Sequence, residues 1–321
     1  MFSDSNRRRE LIQEIADLME EEEACRRQYR AAIDEAERVR LKRKLNNLYQ
    51  QITDKDNQLK QKDSIQNANR RFLALEDKLS KLDFKEQIKL IKNIFDEFEE
   101  NGLALFFINE SLNMAGDLLC LEIQNLLKDE TTDLQHYEIA FSVDRRLDEV
   151  GFLQGLGGYL GINEIKGKDE YLKIIEKFSE LIKNGSIIFI ELKKIDLLDN
   201  QANFLEWLVN FFWKSLIEKV PLICKNQDIE QVKFIIVVVS DDNISDECSN
   251  LSFFCNERCF DKTKFLAIPL KEWTEKEIRL WLTKYSRLSK NIISPMAKSV
   301  YKSSRGGTPK LICDALRNKL S

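Results

Sequence analysis

For its first hundred residues the chain has neither glycine nor proline; the first glycine is Gly102 and the first proline is Pro221. A stretch without strong helix breakers reads as helix. Histidine is scarcer still, with His136 alone in 321 residues. That removes most histidine-based catalysis, since a Ser-His-Asp arrangement would need His136 as its base and nothing in sequence near it suggests one. No apolar run approaches the roughly 20 residues that span a bilayer. The segment from Met1 to Glu23 is charged throughout and lacks the apolar stretch of a signal peptide, so a cytoplasmic location is expected. The seven cysteines contain no CxxC pair. Cys25, Cys120, Cys224 and Cys313 fall in helical or apolar patterns and read as small buried side chains. Cys248, Cys255 and Cys259 cluster, but with the lone histidine remote they do not make a zinc site. Neither a metal nor a cofactor is expected. A net charge of −4 gives no overall attraction to nucleic acid or anionic membrane.

Arginine is concentrated early, with nine of 18 between Arg7 and Arg43. In this region Leu11, Ile15, Leu18, Cys25, Tyr29 and Ala32 follow a heptad seam, with Glu22 filling one step. Leu41, Leu45, Leu48, Ile52 and Leu59 form a second seam, interrupted by Lys55 and out of phase with the first. A phase break needs a turn or local unwinding. Asp34 with Glu37 supplies a helix-start signal, so the expectation is an antiparallel helical hairpin, about 6–32 and 35–62, with one long dimeric coiled coil as its rival. Leu11, Ile15, Leu18, Leu41, Leu45, Leu48 and Ile52 are the candidate partner-binding seam. Residues 1–65 carry fourteen basic and fourteen acidic side chains, so Arg7–Arg9 and Glu20–Glu23 read as solvated helix faces rather than a nucleic-acid arm.

From Asp83 onward strands and helices alternate. Asp83 with Glu86 reads as a helix start and Asn101-Gly102 as that helix's end. Five short apolar runs read as strands: Leu103–Ile108, Tyr137–Val143, Ile187–Ile190, Phe234–Val239 and Phe265–Leu270. Helices separate them, and Thr274 with Glu277 caps another near the end. A final helical piece surrounds Arg305 to Lys310. Such alternation makes a parallel sheet covered on both faces. The fold class expected is α/β, a five-stranded parallel P-loop NTPase-like sheet with a C-terminal helical lid, behind the coiled-coil hairpin. The expected divisions are 1–66, 67–290 and 291–321.

Ligands of such sheets bind beyond the carboxyl ends of the strands. A phosphate loop there reads Gly-x-x-x-x-Gly-Lys-Ser/Thr: amides cradle phosphate, lysine meets its charge and the hydroxyl holds magnesium. This chain has Ser111-Leu112-Asn113-Met114-Ala115-Gly116-Asp117-Leu118, where only Gly116 is kept. Two unit charges about 4 Å apart near a surface interact by roughly 4 kcal/mol. Placing repelling Asp117 where lysine attracts is therefore costly against the ~8 kcal/mol of a micromolar complex. Glu191 is a longer stand-in for the magnesium-binding aspartate, but Leu192 replaces the residue that activates water. Ser111, Gly116, Asp117, Leu118 and Glu191 thus form a vestigial nucleotide pocket with no catalytic residue. The glycines from Gly151 to Gly158 lack a following lysine and serine and read as close helix packing.

Taken together, the helix from Asp83 to Phe98, the strand Leu103–Ile108, the eroded loop Ser111–Leu118, Ile187–Glu191, the segment Leu266 to Thr274 leading into Ile278–Leu282, and Gly306-Gly307-Thr308-Pro309 resemble the inactive STAND family, a degenerate branch of the STAND nucleotide-switch proteins. The resemblance covers about residues 70–321. The hairpin also looks like the coiled-coil segments that precede such domains in bacterial proteins. The resemblance implies a non-enzymatic scaffold or sensor adaptor in a bacterial conflict or immune-type signalling system, with its effector on another polypeptide and with possible self-association through the coiled coil. Two alternatives stand beside it. One is an atypical nucleotide-binding NTPase switch of the STAND/AAA+ type. The other is a nucleic-acid-binding module using Arg7–Arg9 with Lys298, Lys302, Arg305 and Lys310, against which the net acidity argues.

Overall fold

A computed structural model describes residues 2–31, 34–65, 75, 78–98, 101–144, 146–162, 164–244, 252–255, 260–286 and 288–320, with residues 2–11, 35 and 56–65 described by backbone alone. It divides into two compact units, Met1–Glu76 and Asp77–Ser321.

The first unit is built on two helices, α1 (Phe2–Ala31) and α2 (Glu35–Ile65). The carboxylate of Asp34 accepts the amides of Ala36 and Glu37, each at 3.3 Å, and so starts α2. The helices run antiparallel. Cys25 Sγ lies 3.8 Å from the Leu41 carbonyl, Lys44 pairs with Glu21 at 2.8 Å, and Lys55 pairs with Glu14. Cys25, Leu41, Leu45 and Leu48 are buried, and Ile15, Leu18 and Ile52 are half-buried. The side chain of Leu11 lies outside the described residues. Outward, α1 shows Ile12 and Met19, a heptad apart and 43% and 44% exposed.

The second unit begins with α3 (Lys85–Asp96), followed by β1 (Asn101–Ile108), a one-turn α4 (Ser111–Met114), α5 (Gly116–Glu130) and β2 (Leu134–Ala140). Then come α6 (Glu149–Leu160), α7 (Tyr171–Leu181) and β3 (Ser186–Lys193). α8 (Gln201–Trp207) runs through a π-turn (Leu208–Trp213) into α9 (Lys214–Gln227), ahead of β4 (Val232–Val239). The chain closes with β5 (Phe254–Cys255), β6 (Phe265–Ile268), α10 (Glu275–Tyr285), α11 (Lys290–Ser303) and α12 (Pro309–Leu320). The sheet is parallel, in the order β2-β3-β4-β1-β6-β5. It has six strands where the sequence suggested five. The added β5 is two residues long at the sheet's edge, too short to leave an apolar run.

Other expectations shift for local reasons. Asp83 does not cap α3, whose first residue follows Phe84 with no side-chain cap; its carboxylate turns instead to Lys271 Nζ, 3.3 Å away. Asn101 and Gly102 open β1 rather than close a helix. A Cβ on Gly102 would lie 2.1 Å from the ring of Phe98, so any larger residue there would have to displace that ring. β2 begins three residues before Tyr137, pairing Leu134 with Ile187 through Ala140 with Lys193. The C-terminal piece is two helices about a turn, in which Gly307 adopts φ 120° and its carbonyl accepts the Trp273 amide at 2.9 Å.

Burial explains the apolar strands. From Leu103 to Ile108 and from Ile187 to Ile190 every residue is buried, as expected of strands covered on both faces. Phe107, Ile190 and Ile236 of the strands belong to one core cluster with Phe152, Phe204 and Phe212 of the helices. Three of the four glycines of α6 make close approaches, while a Cβ on Gly158 would meet open space. A Cβ on Gly151 would lie 2.0 Å from the Arg146 carbonyl oxygen, and one on Gly157 would lie 2.7 Å from Ile165. Among the described residues no helix is long and apolar enough to cross a membrane.

Candidate functional site

Strand register fixes where a nucleotide could sit. Ile108 of β1 pairs with Val239 of β4, and Leu192 of β3 pairs with Val238. The carboxyl edge of the sheet is therefore reached at Ile108, Lys193 and Val239. Glu191 lies two residues short of that edge and is buried. The residue of β3 that reaches the edge is Lys193.

The loop after β1 is closed on its own chain. The amides of Ser111 and Leu112 donate to the carbonyls of Ser240 and Asp241, at 2.9 and 3.3 Å. Asn109 and Glu110 are held by the loop after β4: Ile244 N donates to Asn109 Oδ1 at 3.1 Å, and Asn243 Nδ2 donates to Glu110 Oε1 at 2.6 Å. Asp241 N in turn donates to Asp196 Oδ1, at 3.1 Å, behind β3. The amides at the start of the loop are thus bonded to protein. Gly116 fits the same account, because a Cβ there would lie 2.4 Å from Ser111 Oγ. The glycine lets the loop fold back on buried Ser111. Leu118 is buried where a hydroxyl would hold magnesium.

Asp117, in the first turn of α5, meets a cation from across the sheet. Lys193 Nζ stands 3.5 Å from Asp117 Oδ1, 3.1 Å from Glu138 Oε2 and 3.1 Å from Glu191 Oε1. Glu191 Oε2 faces His136 Nε2 at 3.0 Å. The other ring nitrogen, Nδ1, accepts from Gln124 Nε2 at 2.8 Å, which leaves Nε2 to carry the proton donated to Glu191. Burial pushes the Glu191 carboxyl up, but the His136 hydrogen bond and the Lys193 charge outweigh it and hold the group below the usual carboxylate range. Burial opposes the charge of Lys193, yet Glu191, Asp117 and Glu138 raise it above the ordinary lysine value.

Geometrically, this is also the group that could hold a metal: ligand atoms of His136, Glu138 and Glu191 all lie within 4.8 Å of one another. The Lys193 ammonium already pairs with both carboxylates of that cluster, at 3.1 Å each, so the residues do not leave the open carboxylate site that magnesium needs. The lysine expected in a phosphate loop is Asp117 here, and it pairs with Lys193 from the edge of β3.

The structure therefore brings Asp117 and Glu191 together through Lys193 and sets Ser111 beside Gly116, while the seam leucines belong to the first unit. Glu138 and Lys193 were not singled out in the sequence, and His136 was considered there only as a lone base and set aside. Their signal is a run of charged and polar residues two apart within strands, which only pairing of β2 with β3 turns into a cluster. Of the cysteine cluster, Cys248 and Cys259 lie outside the described residues, and Cys255 is a half-buried free thiol.

Comparison with known proteins adds the family. A family model described as inactive STAND matches residues 79–240, half of the chain. The chain belongs to the inactive STAND family. In front of the inactive STAND domain, a model described as effector-associated domain 9 matches residues 2–62. Among solved structures the chain is similar to the Aeropyrum pernix ORC1 protein in complex with DNA, at 12% identity and TM-score 0.40 over 73% of this chain and 59% of that one. It is likewise similar to Cdc6p from Pyrobaculum aerophilum, at 14% identity and TM-score 0.43 over 73% of this chain and 62% of that one. It spans about three fifths of the length of either structure. No curated protein matches the chain.

Proposed function

We propose that this inactive STAND protein is a non-enzymatic adaptor of a bacterial conflict or immune-type signalling system, in which the effector-associated helices engage an effector on another polypeptide and the sheet domain serves as the rigid body that carries them. The observation that supports it most directly is the closed, charge-inverted edge of the sheet. The amides of Ser111 and Leu112 are bonded to Ser240 and Asp241, and Lys193 stands among Asp117, Glu138 and Glu191. A triphosphate would have to break those bonds and then meet Asp117 in place of a lysine.

Calorimetric titration of the full chain with ATP and ADP in the presence of magnesium tests this. No heat, and no thermal shift at millimolar nucleotide, is the expected result. Micromolar binding would instead make the chain a nucleotide-controlled switch.

The docking surface for a protein partner is assigned to the outer face of α1, where Ile12 and Met19 are exposed, and not to Leu41, Leu45 and Leu48, which are buried. Charged residues at Ile12 and Met19 are expected to abolish self- or partner association in light scattering while leaving helix content intact. Unchanged association would remove this surface from the reading.

A further inference from the structure

The net charge of −4 hides a segregation of charge. Between residues 288 and 320 there are seven lysines and arginines and a single carboxylate, Asp314. That carboxylate is taken by Arg317 at 2.8 Å. Helix α11 has three lysines and no acidic residue at all. Its apolar side chains Ile293, Ala297 and Val300 are buried, which fixes its rotation. Lys298 and Lys302, one turn apart, then face solvent, and Arg305 is exposed in the turn that follows. Lys319 of α12 joins the same flank, with Nζ 3.4 Å from Ser299 Oγ on α11. Among the described residues, Lys290, Lys298, Lys302 and Arg305 form no ion pair.

Composition of the face selects among anionic partners. A membrane-surface helix needs bulky apolar residues free to enter the lipid, but those of α11 are buried or half-buried, apart from Ile292. Protein interfaces favour aromatic residues and are poor in lysine, whereas the exposed positions between Asn291 and Ser303 are lysine, serine, asparagine and proline around that one isoleucine. Single-stranded nucleic acid is held by aromatic stacking platforms, and no aromatic side chain is exposed on this helix. Unpaired cations and hydroxyl donors without aromatics match the phosphate backbone of a duplex, which binds without sequence preference. We infer that the exposed face of α11, with Arg305 and Lys319, is a docking surface for the phosphate backbone of double-stranded nucleic acid. The inference does not depend on whether the sheet edge binds nucleotide.

The test is fluorescence anisotropy of a labelled duplex of about 20 base pairs of mixed sequence, titrated with the full chain at several salt concentrations. Each phosphate contact contributes about −0.9 to the slope of log K against log salt. Engagement of Lys298, Lys302, Arg305 and Lys319 therefore predicts a slope of about −3 to −4, with a Kd of roughly 10⁻⁴ to 10⁻⁶ M at physiological salt. Lys302→Ala should reduce the slope by about 1, and Lys298→Glu with Lys302→Glu should weaken binding at least about tenfold. Because these side chains are exposed, thermal unfolding of the variants should match that of the parent. Lys85→Glu with Lys89→Glu, at exposed positions of α3, is the control for net charge. No binding at low salt would overturn the inference. So would an equal loss in the control, or polyglutamate or phosphatidylserine vesicles binding as tightly as the duplex.

Discussion

Replacing Lys193 by methionine removes the cation from among Asp117, Glu138 and Glu191 while keeping the apolar stem. The exposed carboxylates of Asp117 and Glu138 lose little, since water solvates them. Glu191 is different: its side chain is 4% exposed, and Lys193 Nζ lies 3.1 Å from Oε1. Breaking a buried pair from one side costs about 3–5 kcal/mol. With Lys193 partly open to water and His136 still bonded to Oε2, about 2–3 kcal/mol is the reasonable share. For a unit of this size that lowers Tm by about 5–10 °C.

The pH dependence carries the sign. In the parent, Glu191 is held below its usual range, so its contribution is present above the unfolded value of about 4.3 and is lost as pH falls through the lower folded value. In Lys193→Met, burial meets only the histidine hydrogen bond and the carboxyl rises, so the defect should shrink between pH 7.5 and pH 5. Thermal unfolding followed by circular dichroism at both pH values measures this. The double variant Glu191→Gln with Lys193→Met should regain most of the lost Tm. A single variant within 1 °C of the parent (on the ~2–4 °C per kcal/mol scale), or a double variant no better than the single, would refute the argument that Lys193 is the counter-ion of Glu191.

Three further outcomes are expected. Burial first, and then neighbouring Glu277, pushes Asp83 up to about 6 against the pull of Lys271; a raised carboxyl stabilises below its unfolded pKa and loses that contribution as pH rises toward 6. The Tm of Asp83→Asn should therefore improve relative to the parent between pH 4.5 and pH 7, and a pH-independent difference would count against the shift. Gly307→Ala places a Cβ 2.3 Å from the Trp273 carbonyl oxygen at φ 120° and should cost at least about 1–3 kcal/mol. Gly306→Ala, at φ 93° with open space around it, should lower Tm less in the same thermal scan. Leu45→Glu with Leu48→Glu buries two charges in the first unit and should reduce its helical circular dichroism signal, since both leucines are about 5% exposed.

The family match bears out the resemblance drawn from weak motifs in order, because each motif is local: a helix, an apolar strand, an eroded loop. The capping box of Thr274 and Glu277 was equally readable, since both partners lie within one turn. By itself, the sequence determined that the chain folds as a parallel α/β sheet, because continuous apolar runs between amphipathic helices have no other way to bury both faces. It also determined that the phosphate loop lacks its lysine. What it could not place was anything set by pairing between distant strands. Lys193 follows Glu191 by two residues in the text, and only the register of β3 on β4 and β1 shows that the lysine, not the glutamate, stands at the sheet's edge. His136 and Glu138 reach Glu191 only because β2 lies beside β3. Tertiary structure alone decided that the loop after β1 is bonded to Ser240 and Asp241. Hydrogen bonds and charges act over a few ångströms in space, and the residues they join here lie as many as 203 positions apart along the chain.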